Sequence, residues 1–220
     1  MYTRSFAAPA QATIKVSEDV NFRIGMLLQG WVNFQQLQPS DTYTQEIFLR
    51  RSRFLFGGQF AKNVTFFFET DAANLGRTTS GVKPLTTFFV QDAFLSFGYV
   101  KDQFLDAGLI LPATSRNTIA STATILPLDL GATAFLSSAV TNSNVGRDLG
   151  VQAHGWLVHD RVEYRVGIFE GHRDTLPTNP LRYNVRVQVQ LLDPEAKLFF
   201  PPDVYLTNKR VLALAAFGEK

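Results

Sequence analysis

The sequence predicts an all-β fold made of long antiparallel strands, and three observations lead to this prediction. The chain has 220 residues, of which 45% are hydrophobic, yet its mean hydropathy is +0.00, so apolar and polar residues are finely interleaved. The interleaving has a period of two residues, which is typical of a strand with one apolar and one polar side. Several alternating runs reach about ten residues or more, whereas an ordinary strand has about five or six.

About nine segments carry this alternation and are predicted to be strands. In chain order they are residues 20–36, 47–60, 64–71, 88–99, 105–111, 149–158, 161–169, 183–191 and 210–217. The clearest is 183–191, with one face made of Tyr183, Val185, Val187, Val189 and Leu191 and the other of Asn184, Arg186, Gln188 and Gln190.

Some segments alternate less strictly. In 47–60 the apolar side is predicted to carry Phe48 together with Phe54, Phe56 and Phe60, and Arg50 falls on that same side. A long arginine side chain near the edge of a membrane can reach the polar region, which would accommodate Arg50 there. In 64–71 Phe67 falls on the polar side, and in 149–158 Trp156 shares a side with Gln152 and His154, so the latter strand stays ambiguous.

The connections divide the chain into an N-terminal segment, 1–19, and a strand region, 20–220, interrupted by a long loop at 112–147. Ala10-Gln11-Ala12 is similar to the end of a secretory signal, although the apolar run before it is short. Short connections at 100–102 and 159–160 alternate with long ones at 38–45, 74–87 and 171–181. The 112–147 loop is too long for a hairpin, and we expect it to fold inward, cover a face or carry function.

The alternation alone does not say which face meets water, because a soluble sandwich buries its apolar face and a membrane barrel exposes it to lipid. Three features favour the membrane barrel: strands long enough to cross a bilayer at a tilt, aromatic residues near strand ends, and polar faces that carry both signs of charge. The aromatic residues are Phe22, Phe34, Tyr164 and Tyr183. We therefore expect an antiparallel transmembrane β-barrel.

Several phrases of the sequence resemble a known family. They include Arg50-Arg51-Ser52-Arg53 followed by Phe54-Leu55-Phe56-Gly57, Arg147-Asp148-Leu149-Gly150-Val151, and Tyr164-Arg165-Val166-Gly167-Ile168-Phe169-Glu170-Gly171. Their order resembles the N-terminal half of the phosphate-selective porins O and P, over residues 20–193. The resemblance implies an outer-membrane porin of Gram-negative bacteria with about sixteen strands, usually a trimer, that passes anions through an arginine-lined pore.

The length predicts only part of such a barrel. About nine strands is an odd number, and bacterial barrels close with even numbers. We therefore expect a partial barrel that belongs to a longer porin, or a wall that other chains complete.

The candidate site is a set of arginines on the polar faces. Arg51 and Arg53 share one face, and Glu69 and Asp71 lie on the polar face of the next strand, where a hairpin would bring them together. Two readings stay open: a ladder of ion pairs that stiffens the wall, or a track for anions, for which the arginine fork is well suited. Arg23, Arg165 and Arg186 extend the track, and Arg116 in the long loop is the first candidate for a pore-narrowing residue.

The sequence excludes other classes of function more firmly than it selects a solute. The long loop has few further cations, which favours general anions or small solutes over phosphate. A net charge of +2 gives no case for nucleic-acid binding, and His154, His159 and His172 lack metal-binding spacing. We expect no cofactor and no catalytic site. Two alternatives stay open: a soluble ligand-binding barrel lined by Phe66, Phe68, Val185 and Val187, and a structural outer-membrane subunit that transports nothing.

Overall fold

The computed structural model describes residues 12–39, 41–78, 87–131, 134, 146–172, 179–205 and 208–220. These residues contain ten strands and one short helix, α1 (Arg116–Ile119). The strands are β1 (Ala12–Lys15), β2 (Asn21–Gln36), β3 (Tyr43–Ala61), β4 (Val64–Asp71), β5 (Phe89–Val100), β6 (Gln103–Ile110), β7 (Asp148–Leu157), β8 (Val162–Phe169), β9 (Arg182–Gln190) and β10 (Ala213–Glu219).

The strands form one sheet in which every strand is antiparallel to the next along the chain, in the order β1 to β10. The predicted all-β antiparallel class is confirmed. Within the described residues β1 and β10 do not pair with each other, so the sheet is not closed into a barrel. The described chain has no helix that is both long and apolar enough to span a membrane.

The described residues form ten strands, where the sequence predicted about nine, and the additional strand is β1. It lies in the predicted N-terminal segment 1–19 and pairs with the start of β2, where Ile14 is opposite Phe22. Four residues are too few for an alternation to be recognised, which is why the pattern did not predict it. Ala10 and Gln11 of the possible signal end lie outside the described residues.

The two faces of the sheet have the opposite polarity to those of a water-soluble sandwich. On β9, Tyr183, Val185, Val187 and Val189 are between 40% and 50% exposed, whereas Arg182, Asn184, Arg186, Gln188 and Gln190 are 5% exposed or less. The same inversion holds on β2, where Ile24, Met26, Leu28, Val32 and Phe34 are exposed. We call the apolar, exposed face the outer face and the opposite one the inner face.

Two long connections cover the inner face. They are the described part of the β6–β7 connection, which includes α1, and the described part of the β9–β10 connection, residues 191–205 and 208–212. Phe199 of the second connection packs on Phe94 with 4.8 Å between ring centroids, and Phe67 lies 5.8 Å from Phe94. Phe67 therefore falls on the polar side of β4 because it belongs to a small apolar cluster with Phe94, Ile110, Phe169 and Phe199.

A β-bulge corrects the predicted faces of β3. Gln29 pairs with Arg51 and Gly30 with Leu49, so Arg50 is an extra residue. An extra residue shifts a strand with a period of two by one position. The prediction that Phe48 lies on the apolar side is therefore wrong, since Phe48 is buried against Trp31 with 5.9 Å between centroids. The prediction for Arg50 is wrong for the same reason, because its side chain bonds to Asp129 of the β6–β7 connection.

The ambiguous strand β7 follows the general rule. Gln152, His154 and Trp156 are all buried on the inner face, while Leu149, Val151 and Leu157 are exposed. Trp156 is tolerated inside because it packs edge-on against His154 and Phe104. The alternation of β7 is therefore regular, and only its inner aromatic residue obscured it in the sequence.

Candidate functional site: the charged inner face

Four predicted arginines of the strands, Arg51, Arg53, Arg165 and Arg186, lie on the inner face, and each of them forms an ion pair. Arg53 is opposite Asp71 in the β3–β4 register. Its guanidinium bonds to Glu69 at 2.8 Å and to Asp71 at 2.9 Å. The carboxylate of Asp71 also accepts the backbone N–H of Ser52 at 3.2 Å. The two predicted acidic partners are therefore brought to Arg53 by the hairpin that joins β3 and β4.

Arg51 reaches a different partner, which lies 78 residues further along the chain. Its Nη2 bonds to Asp129 Oδ1 at 2.5 Å, and Arg50 Nε bonds to Asp129 Oδ2 at 2.8 Å. Burial by itself would raise the pKa of Asp129, but hydrogen bonds from Arg50, the Leu130 N–H and Arg51 hold it below its ordinary value. The two arginines at the β3 bulge therefore attach the β6–β7 connection to β3.

Arg165 and Arg186 share one carboxylate, that of Glu163. Arg165 bonds to Glu163 Oε1 at 2.7 Å, and Arg186 bonds to Glu163 Oε2 at 3.2 Å. Arg165 also donates to the Phe199 carbonyl at 2.9 Å and lies 5.3 Å from the centre of the Phe199 ring. These contacts attach the β9–β10 connection to β8, because a buried guanidinium needs several acceptors at once.

Arg116 joins the two inserted connections to each other. Its Nη1 donates to both carboxylate oxygens of Glu195, at 2.6 Å and 2.7 Å, and its Nη2 donates to the Pro202 carbonyl at 2.6 Å. It also lies 3.2 Å from the Tyr205 hydroxyl. Burial, with the nearby charge of Glu195, raises the pKa of Tyr205 to about 12 although Arg116 acts in the opposite direction. Arg116 therefore lies between the two connections on the inner side of the sheet, and the carboxylate of Glu195 compensates its positive charge.

Arg23 differs from the other predicted arginines. Its neighbours across the sheet are Thr13 on β1 and Gly57 on β3, neither of which carries charge. It is half-buried, and no ion pair to it is formed by any residue in the described parts of the chain. Arg23 therefore carries the least compensated positive charge among the predicted site residues.

The sequence interpretation missed two further inner-face arginines, Arg147 and Arg182. Arg147 forms a two-pronged pair with Asp92 at 3.2 Å and 3.0 Å, and Arg182 bonds to Glu219. His154, which the sequence placed on the same side of β7 as Gln152, is buried on the inner face with its Nε2 3.0 Å from Asp106. Arg182 could have been found, since it alternates in phase with Asn184 and Arg186. Arg147 could not, because it lies just before β7, where the period of two has not yet begun.

Lys197 attaches the β9–β10 connection to the short turns at one end of the strands. Its Nζ is 2.9 Å from Asp102 and 2.6 Å from Asp160, which belong to two different turns. Burial disfavours its charge, but the two carboxylates outweigh burial and raise the pKa of Lys197. The β9–β10 connection is therefore held by the ion pairs of Lys197 at the short turns and by the packing of Phe199 on the inner face.

Cavities lie between the inner face and the described parts of the two long connections. A cavity of about 100 Å³ is lined by Arg50, Arg51, Arg53 and Arg147 together with Glu69 and Asp71. A second of about 530 Å³ lies against β9 and β10. Among the described residues no cluster of His, Asp and Glu has the arrangement of a metal site. The first cavity is lined mainly by charged and hydrogen-bonding groups, whereas the second also has the apolar residues Val211, Leu212, Ala213, Ala215 and Phe217 in its lining.

Comparison with known proteins does not assign the chain to a family. No protein-family model matches the sequence, and no curated protein matches it either.

Proposed function

We propose that the chain forms wall strands of a β-barrel channel in the bacterial outer membrane, through which small anions or other small solutes diffuse passively. The observation that carries the proposal is the inverted polarity of the sheet, with apolar side chains exposed and charged ones buried. Soluble monomers rarely expose continuous apolar patches larger than a few hundred Å². Lipid is the solvent that suits an outer face of this kind.

The soluble alternative finds no support in the placement of its predicted lining. Phe68, Val185 and Val187 are exposed on the outer face, and Phe66 lies there too, tilted against Phe22 and edge-on to Phe56. A soluble barrel would need these side chains in its interior, because burying each one contributes roughly 1.5–3 kcal/mol. Phe22, Phe56 and Phe66 are in mutual ring contact near the short turns. Such a group of rings fits the aromatic belt that membrane barrels place at the lipid–water interface.

The partners follow from the two open edges. Both β1 and β10 have one edge that pairs with no strand of the described residues. Unpaired backbone groups cannot face hydrocarbon, since each would cost several kcal/mol. We infer that further strands, from a longer porin chain or from other copies of the chain, complete the wall in the membrane, and that a trimer is the assembly the family resemblance favours.

The inner face favours weak selectivity for anions over specific phosphate binding. Each of Arg51, Arg53, Arg165 and Arg186 is paired with at least one carboxylate, so little positive charge is left for a doubly charged solute. A second candidate function is a structural wall without transport. It is favoured by the two long connections, because they cover the inner face and leave little open space in front of it. The measurement of current separates these two functions.

The test is the conductance of the full chain in planar lipid bilayers, with reversal potentials in a salt gradient. We expect channels with a modest preference for anions. We expect Arg23→Glu to shift the reversal potential toward that of a cation-selective channel, because no carboxylate of the described residues pairs with the charge of Arg23. Arg77→Glu is the matched control, since Arg77 is half exposed and pairs with Glu46 at 3.6 Å outside the cavities. Absence of current would favour the structural wall, and cation selectivity of the unchanged chain would overturn the proposal.

A further inference from the structure

The first cavity, of about 100 Å³, has a surplus positive charge at the β3 bulge. There Arg50 and Arg51 share the single carboxylate of Asp129, at 2.8 Å and 2.5 Å. Arg50 uses only its Nε for this contact, and 24% of its side chain stays accessible. No residue in the described part of the chain accepts a hydrogen bond from its Nη1 or Nη2. Arg50 therefore presents open donors and an uncompensated charge to the cavity that it lines.

The same cavity has a surplus negative charge on β4. Glu69 and Asp71 share the single guanidinium of Arg53, at 2.8 Å and 2.9 Å. Both oxygens of Asp71 accept hydrogen bonds, from the Ser52 N–H and from Arg53. Glu69 Oε1 is fully buried, but 6% of the Glu69 side chain is accessible, and none of the described residues donates to Oε2. Oε2 is therefore the acceptor that Glu69 offers to the cavity.

The other described residues of the lining leave this asymmetry unchanged. Arg147 is paired with Asp92, to which it donates two hydrogen bonds. Thr118, Ser121 and Thr122 are uncharged and carry hydroxyl groups. The charges of the described residues at the cavity thus balance in number, but they leave one positive end and one negative end.

A small solute that carries both charges matches this arrangement. A monoanion would gain the contact with Arg50 but would be repelled by the surplus charge of Glu69, and a monocation would meet the reverse situation. A dianion such as phosphate would be repelled more strongly still. A water molecule occupies about 30 Å³ in the liquid, so a cavity of about 100 Å³ admits only a small molecule.

We propose that this cavity binds a small zwitterion, of the kind of an amino acid with a short chain between its two charged groups. Its carboxylate accepts hydrogen bonds from the Arg50 guanidinium, and its ammonium group donates to Glu69 Oε2. The site deepens the proposed function and rests on it, since solutes would reach the cavity from the interior of the channel.

The test is calorimetric titration of the full chain in detergent micelles at about pH 8, where carboxylates are ordinarily ionised. The probes are β-alanine and two analogues in which a methyl group replaces one charged group. Butyrate lacks the ammonium group, and propylammonium lacks the carboxylate. We expect β-alanine to bind at least about tenfold more tightly than either analogue, because only β-alanine forms charge-assisted hydrogen bonds at both ends. Binding of butyrate as tight as that of β-alanine, or no binding of β-alanine, would overturn the site.

Two substitutions each remove one surplus charge and leave the other charges of the cluster paired. In Glu69→Gln, Arg53 keeps Asp71, and we expect the preference to change from β-alanine to butyrate. In Arg50→Gln, Asp129 keeps its other arginine, and we expect the preference to change to propylammonium. Circular dichroism of both variants should stay that of the unchanged chain. Variants that are folded and still prefer β-alanine would contradict the assignment of the two ends.

Glu46→Gln and Arg77→Gln are the matched controls, since this partly exposed pair, at 3.6 Å, lies outside the cavity lining. They change the net charge by the same amounts and should leave the order of the three probes unchanged. A control that loses as much β-alanine binding as its counterpart would count against the site. Failure of the channel proposal would look different, because β-alanine would then bind as expected while the chain passes no current in bilayers.

Discussion

Arg53 holds two buried carboxylates, those of Glu69 and Asp71, on the neighbouring strand. We expect Arg53→Ala to destabilise the folded chain by about 3–5 kcal/mol, because it leaves both charges buried without compensation. Urea unfolding of the chain in lipid vesicles measures this loss. Arg77→Ala is the control, since its half-exposed pair with Glu46 contributes about 1 kcal/mol or less. Equal effects of the two substitutions would contradict the idea that the inner face is held by buried ion pairs.

Single residues also show what the sequence could predict about the site. The period of two places Arg51, Arg53, Arg165 and Arg186 on one face, because alternate residues of a strand point to the same side. It does not predict which acid each arginine meets. Arg53 and its partners are joined by a tight hairpin and could be paired in advance, whereas Asp129 and Glu195 come from connections whose path is decided by tertiary packing.

The β6–β7 connection is an element whose attachment depends on charge. Asp129 accepts hydrogen bonds from Arg50 and Arg51. These two consecutive residues point to the same side only because the bulge in β3 adds one residue. The pKa of Asp129 is lowered in the folded state, from an ordinary value of about 3.9 for an aspartate in an unfolded chain. The stabilisation it gives is therefore complete above about pH 4 and is lost as the pH falls through the lowered folded pKa.

We expect this connection to loosen only in strong acid. A spin label on a cysteine at Leu128, an exposed neighbour of Asp129, should become more mobile below about pH 4. In Asp129→Asn it should be mobile already at neutral pH. Asp193→Asn is the control, because Asp193 accepts the Arg210 N–H in the other connection and should leave this label unaffected. A label that stays immobile in Asp129→Asn would show that the arginine pair does not hold the connection.

At the scale of elements, the sequence predicted strands better than connections. The strand class and order follow from alternation, and even the ambiguous β7 obeys it. The bulge in β3 was not predictable, since one additional residue leaves no signature except an arginine on an unexpected side. The inward path of the described β9–β10 connection was not predicted either, because Phe199 and Lys197, which hold it, contact partners that are far away in sequence.

The whole molecule is a sheet with its polarity inverted, and three sets of features agree on this. The outer face is apolar on successive strands, the inner face is charged and covered by two connections, and aromatic rings gather near the short turns. Strand length and aromatic positions predicted which face is apolar and exposed. The open edges of β1 and β10 lie beyond what alternation can predict, because the number of strands in a wall is decided by pairing and not by pattern.

The direct test of this account is the environment of alternate residues along β9 in a lipid bilayer. The chain contains no cysteine, so single cysteines can carry spin labels without interference. We expect labels at Val185 and Val187 to collide with oxygen dissolved in lipid and to be shielded from a water-soluble nickel complex. Labels at Asn184 and Gln188 should be shielded from lipid oxygen. The reverse pattern, or free access of the nickel complex to Val185 and Val187, would contradict an outer face that meets lipid.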